Sequence, residues 1–276
     1  MNGIFIQFYK HKEMVTPVIE GLLDTIDEEN NFIVAIDNLS SNSPEIRSSL
    51  TQYHNEGKLD KCYFMDDNYI FNAMREVVKD VLSKTPLDYI TITDGDVIPP
   101  KLPKCWTSTF IDYFNEYDTL GGIGFSTDLH HQTLDELKEN AYDFERVYRT
   151  SNLRCIKGTV PHYIQSEIHF SEKYNQIDDD VIESLPMYQY YMIKASIISE
   201  YLERHPKQTL GDGHISKFIL KNKYRVFRYE STPAKNMTYD SDLLLKEGYP
   251  EYKKERTDLL SSFQDYKKVN GWEVLE

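Results

Sequence analysis

Short apolar runs of strand length alternate with stretches of helical period through the first hundred residues, the pattern of βαβ units and a mostly parallel sheet. Residues 3 to 9 (Gly-Ile-Phe-Ile-Gln-Phe-Tyr) predict a first strand, and Thr16-Pro17 supplies a cap and first-turn pair opening a helix through Leu22, Leu23 and Ile26. Residues 32 to 37 form a nearly continuous apolar strand of the buried parallel kind, ending on Asp37. The loop from Asn38 to Ser43 is rich in Asn and Ser, and Ser43-Pro44 starts a second helix reaching His54. Residues 62 to 65 predict a third strand. Ile70, Met74, Val77, Val78, Val81 and Leu82 then fall at helical spacing, with Arg75 near the first turns. Residues 87 to 93 predict a fourth strand, which runs directly into Asp94-Gly95-Asp96 before Pro99-Pro100 stops regular structure.

The second half is less regular. Residues 120 to 125 predict a strand, whereas 126 to 186 is polar and aromatic, carries the run Asp178-Asp179-Asp180, and shows no clear period. Residues 188 to 194 read as a strand leading into a helix at 196 to 204. Thr209-Leu210-Gly211-Asp212-Gly213 precedes a helix from His214 to Lys221, and 224 to 229 is a last strand. Residues 240 to 276, charged with scattered aromatics, are expected to form a helical appendage.

Composition narrows the partners. With 276 residues and 40% hydrophobic content the chain can bury one full core. A net charge of −14, from 31 Lys+Arg against 45 Asp+Glu, without any dense basic stripe, excludes nucleic acid as a partner. An acidic surface also repels a diphosphate, so a nucleotide site here must recruit positive charge locally, from a metal ion or a few placed cations. Cys62, Cys105 and Cys155 are widely spaced and odd in number, which argues against a disulfide framework or a zinc site. No stretch approaches a membrane span and the amino terminus lacks a signal-peptide pattern, so a cytoplasmic protein is expected. The tail from Lys246 mixes both signs and lacks a strong apolar face, which limits membrane contact to peripheral association at the inner face.

Two carboxylates flanking a glycine, at a turn where the backbone can pass close to a ligand, can hold a divalent cation on a diphosphate. A lone D-x-D triplet is equally a solvated turn. Here it ends the fourth strand of a βα series, and Asp37 ends the second. In open α/β sheets ligands bind outside the carboxyl ends of the strands, where both acids emerge.

At these residues the sequence resembles the GT-A glycosyltransferases, particularly inverting family 2, over roughly residues 1 to 230. The resemblance implies a Rossmann-like α/β fold: a mostly parallel central sheet flanked by helices, a small antiparallel part, and a C-terminal helical appendage. It divides the chain into a GT-A domain at 1–235, with a nucleotide-binding half (1–100) and an acceptor-binding half (101–235), and the appendage at 236–276. Gln7-Phe8-Tyr9 and Asp37-Asn38-Leu39-Ser40-Ser41 match segments that edge the family's nucleoside pocket, which makes Phe8, Tyr9, Asp37 and Asn38 candidate nucleotide-sugar contacts. Arg75 falls in a matching segment as a contact to base or diphosphate, or as an exposed helix residue. By the resemblance Asp94 and Gly95 lie against the nucleotide sugar, Asp94 and Asp96 hold Mn²⁺ or Mg²⁺, and Asp212 in Leu-Gly-Asp-Gly-His is the candidate catalytic base, or else a helix cap. No His occurs from Tyr229 to Tyr239, where many GT-A enzymes carry a further metal ligand. His130, His131, His162, His169 and His214 remain unassigned.

The implied activity is inverting, metal-dependent transfer of a sugar from a nucleotide-sugar donor, UDP-linked or similar, to a saccharide or lipid-linked hydroxyl, as bacterial surface-polysaccharide enzymes perform. Two other readings stand beside it. A sugar-phosphate nucleotidyltransferase needs a Gly-rich basic loop after the first strand, and Gln7 to Met14 contains none. A non-catalytic module that binds nucleotide sugar or glycan differs from an enzyme by binding without nucleotide release.

Overall fold

Alternation along the first strands sets two apolar faces. In β1 (Asn2–Phe8), Ile4, Ile6 and Phe8 enter one core cluster and Phe5 the other. In β2 (Asn31–Asp37), Ile33 and Ala35 face the first cluster and Val34 and Ile36 the second; in β3 (Lys61–Met65), Cys62 and Phe64 oppose Tyr63 and Met65 in the same way. Strands apolar on both sides must be covered on both sides. Helices α1 (Lys12–Leu23), α2 (Pro44–Asn55) and α4 (Trp106–Glu116) supply buried residues to the first cluster. Helices α3 (Phe71–Lys84), α5 (Ala195–Arg204) and α6 (Asp212–Lys221) supply them to the second. The result is a helix–sheet–helix sandwich, seen in a computed structural model that describes residues 1–9, 12–39, 44–69, 71–128, 176–183, 190–237 and 268–276.

The remaining strands are β4 (Tyr89–Asp94), β5 (Val97–Ile98), β6 (Leu120–Asp128), β7 (Val181–Glu183), β8 (Tyr190–Lys194), β9 (Arg225–Asn236) and β10 (Trp272–Leu275). The order across the sheet is β10-β3-β2-β1-β4-β8-β6-β9-β5, with β7 on β9. β3, β2, β1 and β4 pair in parallel. β8 is antiparallel to both β4 and β6, and β6 is parallel to β9. β1, β2, β3, β4, β6 and β9 therefore run in one direction, and their carboxyl ends share one edge. This is the expected α/β class, a mixed sheet with a mostly parallel centre. Among the described residues no helix is long and apolar enough to cross a membrane.

Several boundaries differ from those predicted: β6 runs on to Asp128 and the last strand, β9, to Asn236, and three further differences have a reason in the packing. Helix α1 begins at Lys12, a turn ahead of Thr16-Pro17, and contains Pro17. Met14 and Val15 are buried together with Val18, Ile19 and Leu22, and that burial outweighs the one backbone hydrogen bond that Pro17 cannot donate. Helix α6 starts at Asp212 with Gly211 as its cap, two residues ahead of His214. The tail, expected as a helical appendage, is instead a strand where it is described: β10 pairs antiparallel with β3 at the sheet edge. Trp272 stands edge-on to Tyr63 with ring centroids 6.2 Å apart, Arg47 pairs with Glu273, and Lys61 meets Glu276 at 2.8 Å. Residues 272–276 thus find partners on β3 and on α2 and cover the open edge of β3.

The acidic run at 178–180 also finds a structural role. Asp178 Oδ1 accepts the backbone N–H groups of Asp180 and Val181 at 2.8 and 2.9 Å, and Oδ2 accepts the Tyr113 hydroxyl at 2.6 Å, which turns the chain into β7. Much of the expected acceptor segment from 126 to 186, with His130, His131, His162 and His169, lies outside the described residues, as do Ser40 and Ser41.

Candidate functional site at the carboxyl edge

The register of the parallel strands brings three sequence-predicted positions side by side. Gln7 lies between Ile36 and Asp94, and Phe8 lies opposite Asp37. Both following turns are tied back to the end of β1: Asn38 N–H donates to the Phe8 carbonyl at 3.0 Å, and Gly95 N–H to the Gln7 carbonyl at 2.8 Å. Glycine is required at 95 by space. A Cβ there would run into the Phe8 ring and stand 2.8 Å from the Gln7 carbonyl oxygen. Its absence lets the turn carrying Asp94 and Asp96 lie flat on β1. Asp94 is half-buried and Asp96 only 5% exposed, and the Asp96 carbonyl accepts Met237 N–H at 2.6 Å from the end of β9. The short pairing of Val97 with Asn236 extends the same contact.

Asp37 is fully buried at the end of β2. Its Oδ1 accepts Leu39 N–H at 3.2 Å, while its Oδ2 has no hydrogen-bond partner. Burial pushes the carboxyl up to about 6, against the opposing pull of the Leu39 N–H and the Arg47 charge. Other buried oxygens without a protein partner sit on the same edge: Asn72 Oδ1 in the first turn of α3, Ser126 Oγ near the end of β6, and the hydroxyl of Tyr190, which pairs with Thr93. Each such group costs about 1–3 kcal/mol when left unpaired. Buried oxygens of this kind call for a ligand or solvent partner. Gln7, Asn72, Ser126 and Tyr190 were not picked out from sequence. Gln7 and Ser126 did leave a signal, as polar residues set in or just after apolar strand runs.

Several predicted contacts have other tasks. The Phe8 ring, 1% exposed, points into the core beneath Gly95 and does not line the crevice, because strand alternation puts it on the face of Ile4 and Ile6. Tyr9 follows β1 at the edge and is half-buried. Asn38 braces the next loop: its Nδ2 donates to Asn68 Oδ1 at 3.0 Å, and its Oδ1 accepts Tyr69 N–H at 2.9 Å. Gln7 Oε1 accepts Met74 N–H at 3.2 Å, fixing the start of α3 on β1. Arg75 is buried, which overturns its reading as an exposed helix residue. It is 2% exposed, and its guanidinium donates to the carbonyls of Gln208, Leu202 and His205 and to Glu76. Helix α3 turns this residue toward α5, and in that dry contact an Arg must find acceptors.

Asp212 opens α6, which leads through residues 222–224 to the start of β9, so its amino end belongs to the carboxyl edge. His214 Nδ1 lies 3.1 Å from Thr209 Oγ1. Among the described residues no group of three His, Cys, Asp or Glu gathers at a point suited to an ion. Asp94 and Asp96 nevertheless offer hard oxygen donors on either side of the turn that Gly95 lets lie flat on β1. That donor set fits a divalent cation that completes its shell with phosphate oxygens and water.

No family profile matches the sequence, and no curated protein matches it. Solved structures do match the fold. A mannosyltransferase from Pyrobaculum calidifontis, in complex with GDP-Man and Mn²⁺, superposes with a TM-score of 0.55 at 12% identity, covering 98% of this chain and 65% of its own. The fold is GT-A. Residues 1–349 of TarS from S. aureus, in complex with UDP-GlcNAc, match at a TM-score of 0.54 and 10% identity, over 85% of this chain and 57% of that one. GalNAc-T7 with UDP, GalNAc and Mn²⁺ matches at 0.57 and 10%, over 98% and 52%. The chain thus spans between half and two thirds of these GT-A proteins. In this chain the acids described above stand at the carboxyl edge shared by β1, β2 and β4.

Proposed function

We propose that the chain is a metal-dependent glycosyltransferase that moves a sugar from a nucleotide-sugar donor, a UDP-linked sugar first, to a saccharide or lipid-linked hydroxyl with inversion. The observation that carries this reading is the Asp94-Gly95-Asp96 turn, pressed on the end of β1 one strand away from buried Asp37. The GDP-Man, UDP-GlcNAc, UDP and Mn²⁺ found in the structural neighbours support it. In this reading Asp94 and Asp96 hold Mn²⁺ or Mg²⁺, which when bound neutralises charge on the departing diphosphate. Asp37 Oδ2 accepts an N–H from the donor's base, giving the buried carboxylate the partner it lacks in the protein. Tyr9 and Asn38 border the same pocket, Asn38 by holding the 68–69 segment against it. Asp212 takes the proton from the acceptor hydroxyl as that oxygen attacks the anomeric carbon in line, so the sugar is transferred in a single displacement.

Calorimetry of UDP with and without Mn²⁺, paired with a UDP-release assay, tests this directly. The reading requires metal-dependent UDP binding and release of UDP from a UDP-sugar. Binding without release makes the chain a non-catalytic nucleotide-sugar module. Neither binding nor release with UDP, GDP or dTDP compounds would refute the proposal.

A further inference from the structure

Three buried side chains from three different elements converge on one short stretch of backbone. Arg75 Nε, from α3, donates to the Gln208 carbonyl at 2.9 Å; the Tyr201 hydroxyl, from α5, donates to the Thr209 carbonyl at 2.7 Å; the Tyr191 hydroxyl, from β8, donates to the Leu210 carbonyl at 3.0 Å. The donors are 2%, 1% and 3% exposed. Residues 208–211 belong to no helix or strand. Carbonyls of connecting segments ordinarily face water. Here three in succession are each held by a side-chain donor, one of them charged, and charge-assisted bonds are the stronger kind.

The helix that follows is not anchored by its own cap. Gly211 caps α6 with its carbonyl alone, accepting N–H from His214 and Ile215 at 3.0 and 3.1 Å, and makes no side-chain cap bond. The first turn of α6, where Asp212 sits, is therefore held at its amino end by the clamped residues just before it, and from Ile215 onward by burial in the second core cluster. The clamp is also referenced to the donor side of the crevice. Tyr191 pairs with Ile92, two residues before Asp94 on β4, and Arg75 follows Met74, whose N–H is held by Gln7 on β1.

We propose that Arg75, Tyr191 and Tyr201 are positioning residues that fix the backbone entering Asp212 at a set place relative to the strand ends carrying Asp37 and Asp94. This rests on the reading of Asp212 as the base. None of the three touches substrate; each acts through the loop. An in-line displacement is sensitive to small misplacements of a base, so loosening the loop lowers turnover without loosening the donor.

The test uses Tyr191→Phe, which removes one hydroxyl and keeps the ring, with Tyr201→Phe as a second variant should the first fail to fold. Each is expected to lower kcat about tenfold while donor KM stays within about twofold. In an Asp212→Asn background the same change is expected to alter kcat by less than about twofold, because the group being positioned is gone. Amide hydrogen exchange at residues 209–214, read without substrate, is expected to speed up about tenfold. The clamp is overturned if that exchange is unchanged, if kcat is unchanged, or if kcat falls as far with Asn at 212 as with Asp. Should the wild-type chain turn over no donor, the glycosyltransferase reading fails by itself. The exchange measurement then decides the clamp on its own: faster exchange upholds it and unchanged exchange overturns it.

Discussion

Asp37 makes its own pH-dependent mark on stability. Its carboxyl rises from 3.8 to about 6 on folding because it is fully buried, with one oxygen unpaired. At about 1.4 kcal/mol per pH unit this corresponds to about 3 kcal/mol between the two protonation states. The sign follows from proton binding: between the unfolded and folded values the native state holds more protons than the unfolded one. The contribution is therefore fully present below 3.8 and is lost as pH rises through 6. Asp37→Asn cannot titrate, and its amide keeps an oxygen for the Leu39 N–H. Comparing urea unfolding of the wild type and the variant removes the effect of the other acids, which the two proteins share. The stability of the variant relative to the wild type is expected to rise by about 2 kcal/mol between pH 4.5 and 7.5, whatever the fixed offset from burying an amide. A difference that is flat over this range, or slopes the other way, refutes the account of Asp37. Because the ionised oxygen is the proposed acceptor for the base, nucleotide affinity of the wild type is expected to weaken as pH falls through 6.

Other expectations follow from the packing. Gly95→Ala places a methyl on the Phe8 ring and the Gln7 carbonyl; overpacking of this kind costs about 1–3 kcal/mol, readable by urea unfolding, and is expected to lower nucleotide affinity at least about tenfold. Phe110→Ala opens a cavity among Trp106, Phe125 and Tyr229 on the α4 side, and should cost about 3–5 kcal/mol in the same assay while leaving nucleotide contacts in place. Deleting residues 272–276 bares the edge of β3; the expected outcome is concentration-dependent association measured by light scattering, and a shortened chain that stays monodisperse contradicts that reading.

The sheet was legible because its strands are short, apolar and separated by helical periods. Runs such as Phe32 to Asp37 leave few alternatives to a buried parallel strand, and a strand ending in Asp94-Gly95-Asp96 necessarily delivers those acids to the carboxyl edge. What escaped the sequence is what depends on long-range packing. The start of α1 moved because burial of Met14 and Val15 overrode a local proline signal. Nothing local tells Arg75 that α5 will cover it, since its carbonyl acceptors lie more than a hundred residues away. Residues 272–275 of the tail form a strand because β3 offered an open edge and matching charges, not because their own sequence alternates strongly. Phe8 followed ordinary strand alternation, which pointed it at the core even while the resemblance pointed it at the pocket.

Nucleotide release reports on whether the Asp94-Gly95-Asp96 turn holds a metal on a departing nucleoside diphosphate, as proposed. UDP-, GDP- and dTDP-sugars are screened with Mn²⁺, Mg²⁺ or a chelator, on the wild type and on Asp96→Ala. The account predicts release from at least one donor, abolished by chelation and reduced by at least about a hundredfold in the variant. Release that persists undiminished in Asp96→Ala would contradict it.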